Sequence, residues 1–273
     1  MKLENKIAGV AERVEDLEYR IFQTKLMEAC GLDLSCYKEK QVQRRLSAAL
    51  VKSGHTNLYD YWRTLNQDPV MLSELVDFLT INVSNFFRNV ERFEDLETRM
   101  LPELLETGKT LRVWSAGCSA GQEPYSVAML LKELTPRTRH YILATDVNRT
   151  VLQVAQDGLY TEDDVKEVKP LLLAKYFTKQ GGEFRLDNSI RQMVTFKVHN
   201  LLSDPYETDF DLIVCRNVMI YFTEEAKVRV FKGFFESLRP GGTLFIGGTE
   251  TLMAAPAYGF QLIAPFFYRK AYV

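Results

Sequence analysis

The stretch that most constrains this chain is Leu111 to Glu123, LRVWSAGCSAGQE. Leu111, Val113 and Trp114 predict a short buried strand behind the turn signal Gly108-Lys109-Thr110. Pro124, Val127, Ala128, Leu130, Leu131 and Leu134 predict an apolar helix after it. Between them lies the small-residue turn Ala116-Gly117-Cys118-Ser119-Ala120-Gly121. A strand, a tight turn and a helix N-terminus make a nucleotide-binding corner, where glycine lets backbone approach a ligand and helix N–H groups face it. The spacing is not G-x-G-x-x-G, so the corner alone does not specify a dinucleotide. A βα turn that needs small residues only for packing would give the same letters.

The turn also spells G-x-S-x-G, the nucleophile elbow of serine hydrolases, in the right strand–turn–helix context. A hydrolase then needs an acid followed by a histidine later in the chain. The histidines are His55, His140 and His199. His140 leads into an apolar strand, and most of the remaining sheet follows His199. Neither falls in a late loop, so a serine esterase stands as the alternative reading.

The 273 residues suffice for one large or two modest domains. A net charge of −2 gives no global pull toward nucleic acid or anionic lipid. No apolar run reaches membrane-spanning length, and the charged, helical N-terminus does not read as a signal peptide. Cys30, Cys36, Cys118 and Cys215 form no C-x-x-C pair, which predicts free thiols, a cytoplasmic setting and no metal site.

Leu3, Ile7, Val10, Val14, Leu17 and Ile21 alternate spacings of four and three, a heptad-like seam that packs on its own domain or on a partner. A helix from about Tyr37 to Ser53 carries the apolar stripe Val42, Leu46, Ala49 and Leu50. Lys38, Arg45 and Lys52 are seven apart on one edge of it, either a solvated face or a docking surface for an acidic partner. Asn57 to Leu65 and Pro69 to Leu79 predict two more helices, so residues 1–79 read as an all-helical domain. Residues 80–90 read as a linker that packs on something through Phe86-Phe87. Asn82, Ser84 and Arg88 would then supply polar contacts to a ligand cleft.

Residues 91–273 alternate strand and helix. His140 to Thr145 predicts a strand ending at Asp146, where a Rossmann-like unit places the acid that accepts ribose hydroxyls. Tyr176 to Asn188 predicts a small hairpin around Gly181-Gly182, part of an insert at about 170–199. FDLIVC, Phe210 to Cys215, predicts a strand buried on both faces that delivers Arg216-Asn217 at its carboxyl end. Such a sheet could hold NAD or S-adenosylmethionine. NAD would call for G-x-G-x-x-G and a hydride-handling acid or base, and neither is found. Methyl transfer to an ionised carboxylate needs no general base, only alignment and exclusion of water.

With these residues in view, the chain resembles the CheR family of chemotaxis-receptor methyltransferases over nearly its whole length. The matching stretches are NVSNFFRN, SAGCSAGQEPYS, ATDVN, HNLL and CRNVMIYF. The resemblance implies a small all-α N-terminal domain followed by a Rossmann-like domain carrying a small antiparallel β-subdomain. It implies methyl transfer from S-adenosylmethionine to glutamate side chains in the cytoplasmic helical domain of methyl-accepting chemoreceptors, leaving S-adenosylhomocysteine. Asn82, Ser84 and Arg88 would line the cofactor site, with Ser84 standing where the family often has Thr. Gly117 would belong to the cofactor turn, Glu123 would lie near the methionine end, and Asp146 would bind the ribose. Asn200-Leu201 and Arg216-Asn217 would enclose the adenosine. Tyr221 would sit beside the transferring methyl, making Arg88 and Tyr221 the catalytic pair. Arg45 matches an arginine of the receptor-docking helix, although Ser47, Ala48 and Ala49 replace further arginines there. The short insert implies independence from a receptor's C-terminal pentapeptide. A non-catalytic sensor binding S-adenosylmethionine or its product is the third reading.

Overall fold

The computed structural model describes residues 17–80, 84–106, 110–248, 250 and 255–271. The chain divides into two compact units. One comprises Met1–Ile81 with the short segment Tyr221–Ala226, and the other comprises Asn82–Ile220 with Lys227–Val273.

The first unit is helical. Helix α1 (residues 17–30) is followed by α2 (Glu39–Lys52), α3 (Leu58–Gln67) and α4 (Pro69–Leu79). Asn57 caps α3 by accepting from the Asp60 N–H, and Asp68 caps α4 by accepting from Val70 and Met71, with Pro69 opening the helix. Tyr19, Phe22 and Leu26 of α1 close on Val42, Leu46 and Ala49 of α2 and on Tyr61, Trp62 and Leu65 of α3. The buried face of α1 is therefore the aromatic one. Leu17 and Ile21, the described end of the heptad-like seam, are 58% and 44% exposed. Leu3, Ile7, Val10 and Val14 lie outside the described residues. Within this unit the Lys38 N–H bonds the Tyr221 carbonyl (2.8 Å), the Thr223 N–H bonds the Cys36 carbonyl (2.9 Å), and Tyr37 and Phe222 meet edge to face.

The second unit opens with α5 (Val90–Asp95) and α6 (Leu101–Leu105), joined by a π turn at Leu96–Met100. From the sequence, no element is assigned to this stretch. Its helical signal is the spacing of Phe93, Leu96, Met100, Leu101 and Leu104, all buried. Pro102, which has no N–H to offer, sits where the π turn returns to α.

The chain then alternates β1 (Arg112–Ala116), α7 (Gln122–Leu134), β2 (Tyr141–Asp146) and α8 (Arg149–Asp157). β3 (Leu159–Tyr160), α9 (Glu162–Val165), α10 (Pro170–Tyr176), β4 (Phe177–Gln180), β5 (Glu183–Leu186) and α11 (Asn188–Arg191) follow. The run closes with β6 (Val194–Val198), β7 (Phe210–Cys215), α12 (Glu224–Ser237), β8 (Leu238–Ile246), β9 (Phe260–Ala264) and β10 (Phe267–Lys270). The main sheet has seven strands in the order β6-β2-β1-β7-β8-β10-β9. The first five are parallel, and β10 runs antiparallel to both its neighbours, β8 and β9. β7 is buried at every position, as a central strand covered on both faces should be.

A second, three-stranded antiparallel sheet has the order β3-β5-β4. It starts at Leu159, before the expected insert, and ends at Leu186, short of 199. Val194–Val198 runs instead parallel to β2 as the edge of the main sheet, with Ile142 beside Val194. The expected bounds of 170–199 are thus wrong at both ends, because a two-residue strand gives too little alternation to read and β6 looks locally like part of the hairpin.

Phe86 ties the linker segment to this small sheet. It is fully buried, meeting Tyr160 (4.7 Å between ring centroids) and Phe177 (5.2 Å) edge to face, while its N–H bonds the Asp164 carbonyl. Phe87 packs on Phe93, and its N–H bonds the Ser126 hydroxyl. Phe86→Ala should destabilise the fold by about 3–5 kcal/mol, the scale of a large aromatic removed from a core. Leu171→Ala, at a position 85% exposed, should fall within about 0.5 kcal/mol of wild type. Urea unfolding monitored by tryptophan fluorescence measures both.

Candidate active site

The order of the main sheet reverses between β1 and β7, so the turns after these two strands diverge and leave a crevice at the carboxyl ends. Five parallel strands deliver side chains there. The turn after β1 is held by the Gly117 and Cys118 N–H groups, both bonded to the Thr145 carbonyl at 2.8 and 2.9 Å. Gly117, Ser119 and Gly121 all have positive φ. A side chain at Gly117 would overlap Val218, and one at Gly121 would come within 2.8 Å of Ala155. These two glycines therefore answer to protein packing as well as to backbone conformation. The Gly117 amide is bonded within the protein.

Asp146 ends β2, 8% exposed. Its carboxylate accepts from the Ser119 N–H (2.9 Å) and the Asn148 N–H (3.0 Å). Burial raises its pKa, and the amides of Asn148, Ser119 and Val147 pull it back down. A carboxylate offers about four lone-pair positions, so capacity remains for a further donor. The His199 N–H bonds the Asp146 carbonyl at 3.0 Å, which sets Asn200 and Leu201 next to the acid. Asn200 shapes its own turn by accepting from the Leu202 N–H, and the Leu201 carbonyl accepts from the Tyr206 hydroxyl.

Glu123 stands in the first turn of α7, where the helix N-terminus favours an anion. It accepts from the Ser115 hydroxyl at 2.8 Å and lies 3.8 Å from the Arg216 guanidinium. Burial nevertheless pushes its pKa up to about 7, against the pull of Arg216, Ser115 and Arg88. The Arg216 guanidinium donates to the Arg88 carbonyl (3.0 Å) and the Asn89 side chain (2.7 Å), and lies over the rings of Phe93 and Phe245. It acts as a strut between β7 and the linker. Ser84 and Arg88 are half-buried on that linker, and Asn82 lies outside the described residues.

Asn217 follows Arg216 in the left-handed region, at φ 60°. Its N–H bonds Glu250, a 5% exposed carboxylate after β8 that the sequence reading passed over. Only its place three residues beyond Gly247, at the carboxyl end of a core strand, could have drawn attention to it.

Tyr221, Lys38, Arg45 and Lys52 belong to the helical unit. Lys38 and Lys52 are exposed at the two ends of α2. Arg45 departs from a solvated edge. It is half-buried, its guanidinium lies 5.4 Å from the centroid of the Phe78 ring, and one terminal nitrogen is buried with no hydrogen-bond partner.

The esterase reading fails on geometry. The Ser119 hydroxyl is buried without a hydrogen-bond partner. His140 is engaged by the Leu111 N–H and Thr135, His199 by the Pro205 carbonyl, and His55 by Ser53 and Thr64. Burial holds the pKa of both His140 and His199 below the usual value.

Glu123 gives this site a pH signature. Its folded-state pKa lies above its unfolded value, so its contribution to stability is full below about 4.5 and is lost as pH rises through about 7. Glu123→Gln should remove that slope. The unfolding free energy of wild type relative to the variant should fall by up to about 3 kcal/mol between pH 4.5 and 8, measured by urea titration at each pH.

A carboxylate with spare acceptor capacity after β2, a second carboxylate at a helix N-terminus and the Asn217 amide after β7 suit a ligand bearing both hydroxyls and an ammonium. The comparison with known families agrees. The family model for the CheR methyltransferase SAM-binding domain matches residues 82–263, and that for the CheR methyltransferase all-alpha domain matches residues 17–80. The chain is 43% identical over 261 residues to a chemotaxis protein methyltransferase of Listeria monocytogenes, covering 94% of this chain and 99% of the relative. It is 36% identical over 254 residues to one of Borreliella burgdorferi, covering 88% and 89%. It is 34% identical over 259 residues to chemotaxis protein methyltransferase 1 of Pseudomonas aeruginosa, covering 90% and 94%. A nucleotide corner at the switch point of a parallel sheet, an all-helical unit before it and matches that run through both make this chain a member of the CheR methyltransferase family, with S-adenosylmethionine as its cofactor.

Proposed function

We propose that this protein transfers the methyl group of S-adenosylmethionine to glutamate side chains in the cytoplasmic helical domain of methyl-accepting chemoreceptors, forming glutamate methyl esters and S-adenosylhomocysteine. The observation that carries the reading is the crevice itself. It offers carboxylates, amides and arginine, and each of the three histidines is engaged elsewhere. When bound, S-adenosylmethionine would supply a sulfonium methyl that an ionised carboxylate can attack without a general base, the thioether leaving as S-adenosylhomocysteine. The protein's part is then to bind, orient and exclude water.

In this reading Asp146 accepts hydrogen bonds from the ribose hydroxyls, and Glu123 meets the methionine ammonium. Asn200, Leu201 and Asn217 enclose the adenosine, and Asn82 and Ser84 contribute from the linker. Arg88 pairs with a carboxylate, of the acceptor or of the methionine, with a planar fork suited to that geometry. Its charge already bears on Glu123 and Arg216, which supports its place at the site. Tyr221 helps to place the acceptor. Residues 1–79 form the docking domain, 80–90 the linker, and the rest the catalytic domain.

Purified protein with labelled cofactor should methylate receptor cytoplasmic fragments, with label released as methanol in base. Arg88→Ala should lower kcat/KM by roughly a hundredfold, the scale of a misplaced reactant, in a protein that still folds. Ser119→Ala should be mild. Binding of S-adenosylhomocysteine with no transfer to any receptor fragment would favour a sensor instead.

Docking runs through α2. Lys38→Glu with Lys52→Glu should raise KM for the receptor several-fold at low salt, with a smaller effect at high salt, because exposed charges are screened over about 8 Å at physiological ionic strength. The dissociation constant for S-adenosylhomocysteine should stay unchanged. Arg45→Glu should also lower the melting temperature, since it removes the contact with Phe78. Truncating the receptor's C-terminal residues should leave methylation intact. A large drop would mean that the β4–β5 hairpin, which turns at Gly181-Gly182, grips a peptide.

A further inference from the structure

Glu250 is a buried carboxylate that, among the described residues, accepts hydrogen bonds from three backbone N–H groups. One oxygen accepts from the Asn217 N–H and the Gly247 N–H, each at 2.8 Å, and the other accepts from the Met219 N–H at 2.7 Å. Three amides converging on one carboxylate are the arrangement by which proteins bind anions, here supplied with an internal one. Two of the three donors lie in the turn after β7, and the third lies just after β8.

The surroundings are cut to fit this contact. A side chain at Gly247 would come within 2.6 Å of the Glu250 carboxylate and 2.8 Å of the Asn217 nitrogen. The space between the two strand ends admits no Cβ. Asn217 itself adopts φ 60°, a left-handed conformation that asparagine tolerates better than most residues, and its N–H is held there by Glu250. On its other side the same turn is wedged by Val218 against the bare Cα of Gly117. The turn after β7 is therefore clamped between the glycine corner and Glu250.

We propose that Glu250 is a positioning residue for the cofactor site. It touches no reacting atom. It fixes the Arg216–Met219 turn so that Val218 keeps its place against Gly117 and the Asn217 side chain keeps its place beside Gly247. The proposal rests on the reading of Asn217 as a cofactor contact. Charge-assisted hydrogen bonds are short and strong, and a neutral amide cannot replace them all. Glu250→Gln would present an NH₂ donor to at least one of the three N–H donors.

The test compares the dissociation constant for S-adenosylhomocysteine, by calorimetry, with the melting temperature of the same proteins. Glu250→Gln and Gly247→Ala should each weaken binding at least tenfold at a temperature where both are folded. The double variant should be little worse than the weaker single, since both break one contact. Glu103→Gln, which loses a bidentate pair with Arg269 far along the chain, should lower stability without altering binding. A folded Glu250→Gln protein that binds within twofold of wild type overturns the proposal. Should that variant not fold, Gly247→Ala and amide exchange in the wild-type protein decide. Asn217 and Met219 N–H groups that exchange as fast as exposed loop amides would equally overturn it. Asn217→Asp and Asp146→Ala separate the two readings. If they weaken binding and Glu250→Gln does not, only the role of Glu250 falls. If none of them matters, the placing of the cofactor site itself is wrong.

Discussion

The second unit is organised around one buried cation. The Arg216 side chain is 3% exposed, and an ion taken out of water costs several kcal/mol unless its partners replace the hydration it lost. The replacements come from separate parts of the chain. Glu123 at the start of α7 supplies the counter-charge, the Arg88 carbonyl and the Asn89 side chain accept hydrogen bonds, and the faces of Phe93 and Phe245 cover the guanidinium. Linker, α5, α7, β7 and β8 must all be in register before the charge is satisfied. Burial alone would keep Glu123 protonated, and Arg216 is the strongest influence drawing it toward ionisation. Arg216 thus holds Glu123 nearer to ionisation than burial alone would leave it.

Glycine in the corner serves a different end from the one its motif suggests. The familiar account gives the glycines to the ligand. Here Gly117 makes room for Val218 and Gly121 makes room for Ala155, so the turn after β1 can nest against its neighbours on both sides. The result still favours a ligand, by an indirect route. Close nesting draws the ends of β1, β2 and β7 together, and the Ser119 N–H then reaches the Asp146 carboxylate. That bond uses one acceptor position on Asp146 and orients the remaining ones.

Legibility in the sequence followed the range of the interactions involved. The α/β alternation, the helical first unit, the acid after β2 and the fully buried β7 were all readable, because each depends on spacing within one element. The packing of Phe86 and Phe87 was readable in kind, since two adjacent aromatics in a polar linker have to be covered. What sequence could not supply was which partner each side chain finds. The place of Arg216 after a strand leaves its direction open, and its contacts with Asn89 and Phe93, more than a hundred residues earlier, are not legible from that place. The heptad spacing at the N-terminus likewise left open whether the seam packs on its own domain or on a partner. Leu17 and Ile21 keep the period, but Tyr19, Phe22 and Leu26 bury more surface and decide which way α1 faces. Glu250 is the extreme case. Nothing local distinguishes it from any acid after a strand, and its importance lies in where three distant or turned amides point. A residue whose hydrogen bonds run to backbone N–H groups leaves no complementary side chain in the sequence to be matched with those bonds. Groups of that kind emerge only when the strand ends are brought side by side.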